Sequence, residues 1–105
     1  MITMNKELFE QHIVGSCPTL VEFWAPWCGY CTKIAGAMEK VADTCGDQIK
    51  VGQINIDDHP MIAANEQIEV IPTLVLYRDG KPLGSIVAPE SRLAIEAFIQ
   101  RTLNN

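Results

Sequence analysis

Cys28 and Cys31, in the run Trp27-Cys28-Gly29-Tyr30-Cys31, are the side chains of this sequence best suited to covalent chemistry. They follow an apolar, strand-like run, Thr19 to Ala25, and precede residues with helical spacing. That order places Cys28 at the first turn of a helix, with Cys31 one turn further along. Backbone N–H groups without helical partners and the helix dipole both favour a thiolate there. The thiolate is the form that attacks disulfides, so Cys28 reads as a nucleophile at neutral pH. Cys31 is close enough to attack a mixed disulfide formed on Cys28. The pair reads as a redox couple.

Two other readings compete. A Cys-x-x-Cys is half of a zinc site, but the remaining ligand types, Cys17, Cys45, His12 and His59, are isolated and supply no second pair. No metal is therefore expected. Two packing cysteines are the other alternative. The Trp-Cys-Gly start speaks against it, because Gly29 beside an aromatic residue suits an exposed loop.

Around this pair the chain must build a scaffold from 105 residues, enough for one compact domain, 1–105, and too few for two. Hydrophobic content of 48% and charged content of 20% are those of an ordinary globular protein. A formal net charge of −5 argues against a nucleic-acid surface. No apolar run approaches the roughly 20 residues of a membrane span. Met1 to Glu7 lacks a basic start followed by an apolar stretch, so a cytoplasmic protein is expected, with four cysteines that form no structural disulfide framework.

The periodicities give the positioning elements. Asn5 caps a helix over about Lys6 to Ile13, with Leu8, Phe9 and Ile13 on one face. Thr19 to Ala25 is apolar almost throughout, as a strand buried on both faces would be. A helix from Tyr30 to about Thr44 presents Ile34, Ala37, Met38 and Val41, and Gly46 ends it. Lys50 to Asn55 is the next strand. A short helix, Met61 to about Gln67, follows Pro60. Thr73 to Arg78 and Lys81 to Val87 flank Asp79-Gly80, a hairpin signal. A last helix, about Ser91 to Leu103, offers Leu93, Ile95, Ala97, Phe98 and Leu103 for packing. Alternating elements imply parallel pairing and the hairpin adds an antiparallel pair. The expected fold class is α/β, a mixed central sheet with helices on both faces.

The run Val21-Glu22-Phe23-Trp24-Ala25-Pro26-Trp27-Cys28-Gly29-Tyr30-Cys31 resembles the active-site strand and loop of the thioredoxin family. Val51 to Asp57 resembles its next strand, and Ile71-Pro72-Thr73 the loop that faces the active site. The resemblance runs from about Phe9 to the last helix. It implies a thioredoxin fold and a protein-disulfide reductase working through a reversible Cys28–Cys31 disulfide. It further implies a cis peptide before Pro72, Ile71 backbone groups offered to an extended substrate segment, and Trp27, Gly29 and Tyr30 in the substrate contact surface. Glu22 resembles the buried base that takes a proton from Cys31. No bound cofactor is implied. Electrons would come from NADPH through a flavin-dependent thioredoxin reductase, and the partners would be disulfide-containing client proteins, met by a monomer. The other readings of the same residues are a thiol oxidase or isomerase using the same pair, and a redox-insensitive interaction or metal-delivery domain.

The sequence departs from the family pattern at several positions. Tyr30 stands where Pro is usual, Glu22 where Asp is usual, and Gln53 replaces a neighbouring Lys. Gly36 replaces a helix-kinking Pro, Val87 stands for a loop Gly, and only Met1 to Met4 remain for a first strand. Without a nearby cation, a buried Glu22 is expected to favour its neutral form, whereas on a sheet edge it would face water. Tyr30 restores a backbone N–H that Pro lacks. Directed at the Cys28 sulfur, that donor would make the disulfide more oxidising. Cys17 and Cys45 read as packing residues or bystanders, and His12 and His59 as surface residues.

Overall fold

In the computed structural model, which describes residues 1–104, five strands form one sheet in the order β1-β3-β2-β4-β5. These are β1 (Ile2–Thr3), β2 (Thr19–Trp24), β3 (Lys50–Asn55), β4 (Thr73–Arg78) and β5 (Lys81–Val87). The helices are α1 (Lys6–Ile13), α2 (Gly29–Cys45), α3 (Pro60–Asn65) and α4 (Arg92–Leu103). β1, β3 and β2 run parallel, while β2, β4 and β5 pair antiparallel. The sheet is mixed, as read from the sequence, but β4, expected to lie parallel because a helix precedes it, runs antiparallel to β2. The short β1 pairs with β3 through Ile2 opposite Gly52 and Thr3 opposite Gln53. Two residues carry too little alternation to announce a strand.

Two apolar layers follow from the strict alternation of side chains along each strand. Leu20, Val51, Leu74 and Leu76 face α2 and α4, meeting Ile34, Met38, Val41, Ile95, Phe98 and Ile99. Val21, Phe23, Ile54, Val75 and Tyr77 face the other way, packing with Phe9 of α1 and Ile62 of α3. This is why β2 and β4 read as continuous apolar runs: both strands are central and covered on both sides. On the second face, the Phe9 ring stands edge-on to those of Phe23 and Tyr77, at 6.3 and 5.4 Å between centroids.

The element ends have local causes. Asn5 Oδ1 accepts from the Leu8 N–H at 2.8 Å, and Ser91 Oγ from the Ala94 N–H at 3.1 Å. Ser91 thus caps α4 instead of opening it. α3 stops at Asn65, short of the expected Gln67, where the backbone turns left-handed at φ 60°. Leu93 and Ala97, expected to pack, are exposed; Ile99 takes the inward place on α4. His12 and His59 lie at the surface, each half-buried. No helix among the described residues is long and apolar enough to cross a membrane.

The hairpin carries the tightest backbone requirement. Asp79 and Gly80 have φ of 55° and 79°, as a two-residue turn with both residues left-handed demands. Their N–H groups donate to the carbonyls of Gly15 and Ile13, at 3.0 and 2.8 Å, tying the turn to the end of α1. Gly80→Ala should therefore destabilise the protein by about 1 kcal/mol, the cost of a Cβ in left-handed backbone. Urea unfolding of the two proteins measures it, and an unchanged midpoint would remove this role from Gly80.

Candidate active site

Sheet register brings the site together. Phe23 of β2 pairs with Thr73 of β4, and Thr73 with Val87 of β5. Because β2 runs antiparallel to β4, the segment leaving β2, the segment entering β4 and the segment leaving β5 all meet at one edge of the sheet. Residues 24–31, 70–72 and 88–90 are thereby neighbours in space though distant in sequence. β3 ends there too, its follower Ile56 donating to the Trp24 carbonyl at 2.9 Å.

Cys28 is the N-cap of α2, one position outside the first turn expected for it. Its backbone is extended, and its Sγ accepts the N–H of Cys31 at 3.2 Å. A cap sulfur thus takes one of the helix's unpartnered donors, the role that Ser or Asp usually fills. The donor at that sulfur is the Cys31 N–H; Tyr30 engages the structure through its phenol. Cys28 and Cys31 are joined as a disulfide, with Cα atoms 5.3 Å apart. Both residues are buried, Cys28 retaining 8% exposure and Cys31 3%. Around them pack Ala25, Trp24, Ile56, Ile71 and the Tyr30 ring.

The loop residues flank this pair. Trp27 is 68% exposed, in keeping with a loop contact surface, and its Nε1–H lies between both Asp57 carboxylate oxygens at 3.2 and 3.1 Å. Asp57 was not singled out in the sequence; its place just after β3, facing the loop after β2, is visible only once register is known. Gly29, the first residue of α2, is exposed. The Ile71–Pro72 peptide is cis, Pro72 is buried, and Ile71 is half-buried against the cysteines. Val70 is exposed, and Thr73 Oγ1 hydrogen-bonds the Val70 carbonyl.

Glu22 is buried, at 2% exposure, and not at a sheet edge. Alternation puts it on the face of Leu20, the side that α2 covers, between the helical core and Trp24 beside the dithiol. Its strand neighbours are Gln53 and Leu74, neither a cation, and the Gln53 Nε2 points away to Thr3 Oγ1 at 3.4 Å. Glu22 Oε2 has no hydrogen-bond partner among the described residues. Desolvation by burial accordingly raises its pKa from 4.5 to about 7.

The other thiols stand apart. Cys17 and Cys45 are unpaired and half-buried. Cys17 Sγ rests against the Gln48 and Pro18 carbonyls at 3.6 and 3.7 Å. Burial, and then the Glu96 carboxylate, push the Cys45 thiol up, away from reactivity. Among the described residues no three His, Cys, Asp or Glu side chains gather into a group able to hold a metal ion.

A Cys-x-x-Cys disulfide closing the first turn of a helix, beside a cis-proline and an exposed tryptophan, on a mixed sheet with helices on both faces, defines a thiol–disulfide oxidoreductase. The thioredoxin family model matches residues 1–101. Thioredoxin 1 of Synechococcus elongatus is 39% identical over 89 residues, which cover 82% of this chain and 83% of that protein. The thioredoxin of Alicyclobacillus acidocaldarius is 34% identical over 102 residues, 97% of each. The solved structure of a Malassezia sympodialis thioredoxin superposes with a TM-score of 0.87 at 27% identity, covering 97% of this chain and 91% of that one. The chain belongs to the thioredoxin family.

Glu22 makes stability depend on pH with a definite sign. Below about pH 4.5 the carboxyl is neutral whether folded or unfolded. Between there and about pH 7 the unfolded chain ionises while the folded one keeps its proton, so stability falls as pH rises. Above that the cost is constant, roughly 3 kcal/mol at about 1.4 kcal/mol per pH unit. Glu22→Gln should gain that amount between pH 4 and pH 8 relative to the parent. Urea unfolding of the oxidised proteins at both pH values measures the difference, and a pH-independent difference would contradict a raised Glu22 pKa.

Proposed function

We propose that this protein reduces disulfides in client proteins. The observation that carries the reading is Cys28 at the N-cap of α2, bonded to Cys31 and with the Cys31 N–H directed at its sulfur. In the reduced protein that donor and the helix dipole stabilise a Cys28 thiolate. The thiolate attacks one sulfur of a client disulfide. The client S–S bond breaks, one client thiolate leaves, and Cys28 is held in a mixed disulfide. Cys31 then loses its proton to Glu22 and attacks Cys28 Sγ, releasing the second client thiolate and closing the Cys28–Cys31 bond. Two electrons pass from the dithiol to the client. A carboxyl with a pKa of about 7 is suited to this proton transfer at neutral pH, being present in both forms.

Trp27 and the cis-proline segment form the client contact surface in this reading, with Ile71 backbone groups meeting an extended stretch of client and Gly29 and Tyr30 bordering the sulfurs. The closed disulfide is reopened by a flavin-dependent thioredoxin reductase drawing on NADPH. The protein itself holds no cofactor in this reading and works as a monomer. Unpaired Cys17 and Cys45 suit a reducing cytoplasm. The same sulfurs serve oxidation or isomerisation if the potential lies nearer the −120 mV of strong oxidants of this fold than the −270 mV of thioredoxin.

Insulin reduction coupled to NADPH and a thioredoxin reductase tests the direction. Catalytic turnover is expected, and stoichiometric oxidation of dithiols without turnover would indicate an oxidase. Limiting iodoacetamide on the reduced protein should label Cys28, read by mass spectrometry; labelling mainly at Cys31 would reverse the roles. Cys31→Ser should accumulate mixed disulfides with clients. Glu22→Gln should slow their resolution about tenfold or more, as loss of a general base does, while leaving the first attack nearly intact. Equal slowing of both steps would deny Glu22 the base role.

A further inference from the structure

One contact at the site is unused by the sulfur chemistry. The Tyr30 hydroxyl donates to the Pro89 carbonyl at 2.9 Å, across 59 positions of sequence. Tyr30 is half-buried, its ring packed on both the cysteine cluster and the core beneath α2 and α4. Pro89 is buried in the loop between β5 and α4. Ala88, just before it, is held at φ 45°, a left-handed backbone that a Cβ disfavours. The Ala88 N–H donates to the Pro72 carbonyl at 2.9 Å. The loop is therefore tied on one side to the cis-proline segment and on the other to the active-site helix. Its unfavourable backbone needs such ties to persist. The phenol proton is committed to Pro89, so it is not offered to either sulfur.

We propose that Tyr30 is a positioning residue that sets client specificity by holding the β5–α4 loop against α2. Val87, 51% exposed, ends β5 beside this loop and at the sheet edge where Ile71 precedes the cis-proline. With the loop pinned, these two residues present a preformed strip along which an extended segment of a protein client lies next to the disulfide. A loop that had to be ordered on binding would subtract its entropy from client affinity. A small disulfide reaches Cys28 Sγ without spanning that strip and is less dependent on it. The inference rests on the disulfide-exchange reading of the site.

Tyr30→Phe keeps the ring and removes only the hydroxyl, which makes it the informative variant. The ratio of kcat/KM for insulin to kcat/KM for dithiobis-nitrobenzoate should fall about fivefold, within the range of one lost hydrogen bond. The fall should be carried by KM for insulin. Native-state hydrogen exchange at the Ala88 amide should accelerate severalfold in the variant. An unchanged ratio, a fall carried by kcat alone, or unchanged exchange at Ala88 would overturn the proposal. If the parent protein oxidises instead of reducing, the reductase direction fails on its own. The same ratio, taken with a reduced protein dithiol against dithiothreitol, then decides the role of Tyr30.

Discussion

The antiparallel pairing of β4 on β2, with Phe23 opposite Thr73, is the constraint on which the site depends. A parallel β4 would carry Pro72 to the far end of the sheet, away from the cysteines. Antiparallel pairing instead makes the start of β4 coincide with the ends of β2 and β3. The β5 hairpin then returns the chain to the same edge. The dithiol needs a helix start for its thiolate, a shaped wall beside it and a route for client backbone. One register supplies all three, and a slip of one residue would also turn Glu22 and the Leu residues of β4 to the wrong face.

Glu22 is a buried charge-bearing group that the fold pays for. A carboxyl under α2, with one oxygen lacking a hydrogen-bond partner, opposes folding at neutral pH. Elsewhere in the same sheet a buried polar group is satisfied: the Tyr77 hydroxyl donates to Glu66 at 2.6 Å. The contrast separates two solutions to one problem. Tyr77 is partnered and serves packing, with burial raising its pKa, whereas one Glu22 oxygen is left without a partner. Gln53, its neighbour on β3, is neutral, and its amide turns to Thr3 on β1, so it offers Glu22 neither a charge nor a hydrogen bond.

Much of this was legible in the sequence because it is local or periodic. The double-sided burial of β2 and β4, the Asp79-Gly80 turn and the Asn5 cap each follow from residues within a few positions of one another. Glu22 was legible as a conflict, one carboxylate in an apolar strand, while its burial beside Gln53 in place of a cation was legible only through family resemblance. The cis bond at Pro72 was legible only through family resemblance, because local preference for a proline before a strand is the trans form. β1 was hidden by its length. Leu93 was misread because helical spacing names a stripe without saying which residues at its margin are covered. The contacts of Trp27 with Asp57 and of Tyr30 with Pro89 join distant segments, and no pattern along the chain encodes them.

Tyr30 also separates two ways in which a residue between the thiols can act. The expectation from the sequence was electronic: a restored N–H near the Cys28 sulfur that would tune its potential. In the folded chain the sulfur is already served by the Cys31 N–H at the third helical position, where a cap residue finds its donor. What Tyr brings that Pro lacks is reach. Its ring packs against the cysteine cluster while its hydroxyl extends to a carbonyl of the third loop at the site. The sulfur contact shown by the structure thus lies in the first turn of α2 and comes from the Cys31 N–H. In the proposal made above, selection among clients passes to a side chain that bridges two segments of the site, the active-site helix and the loop after β5.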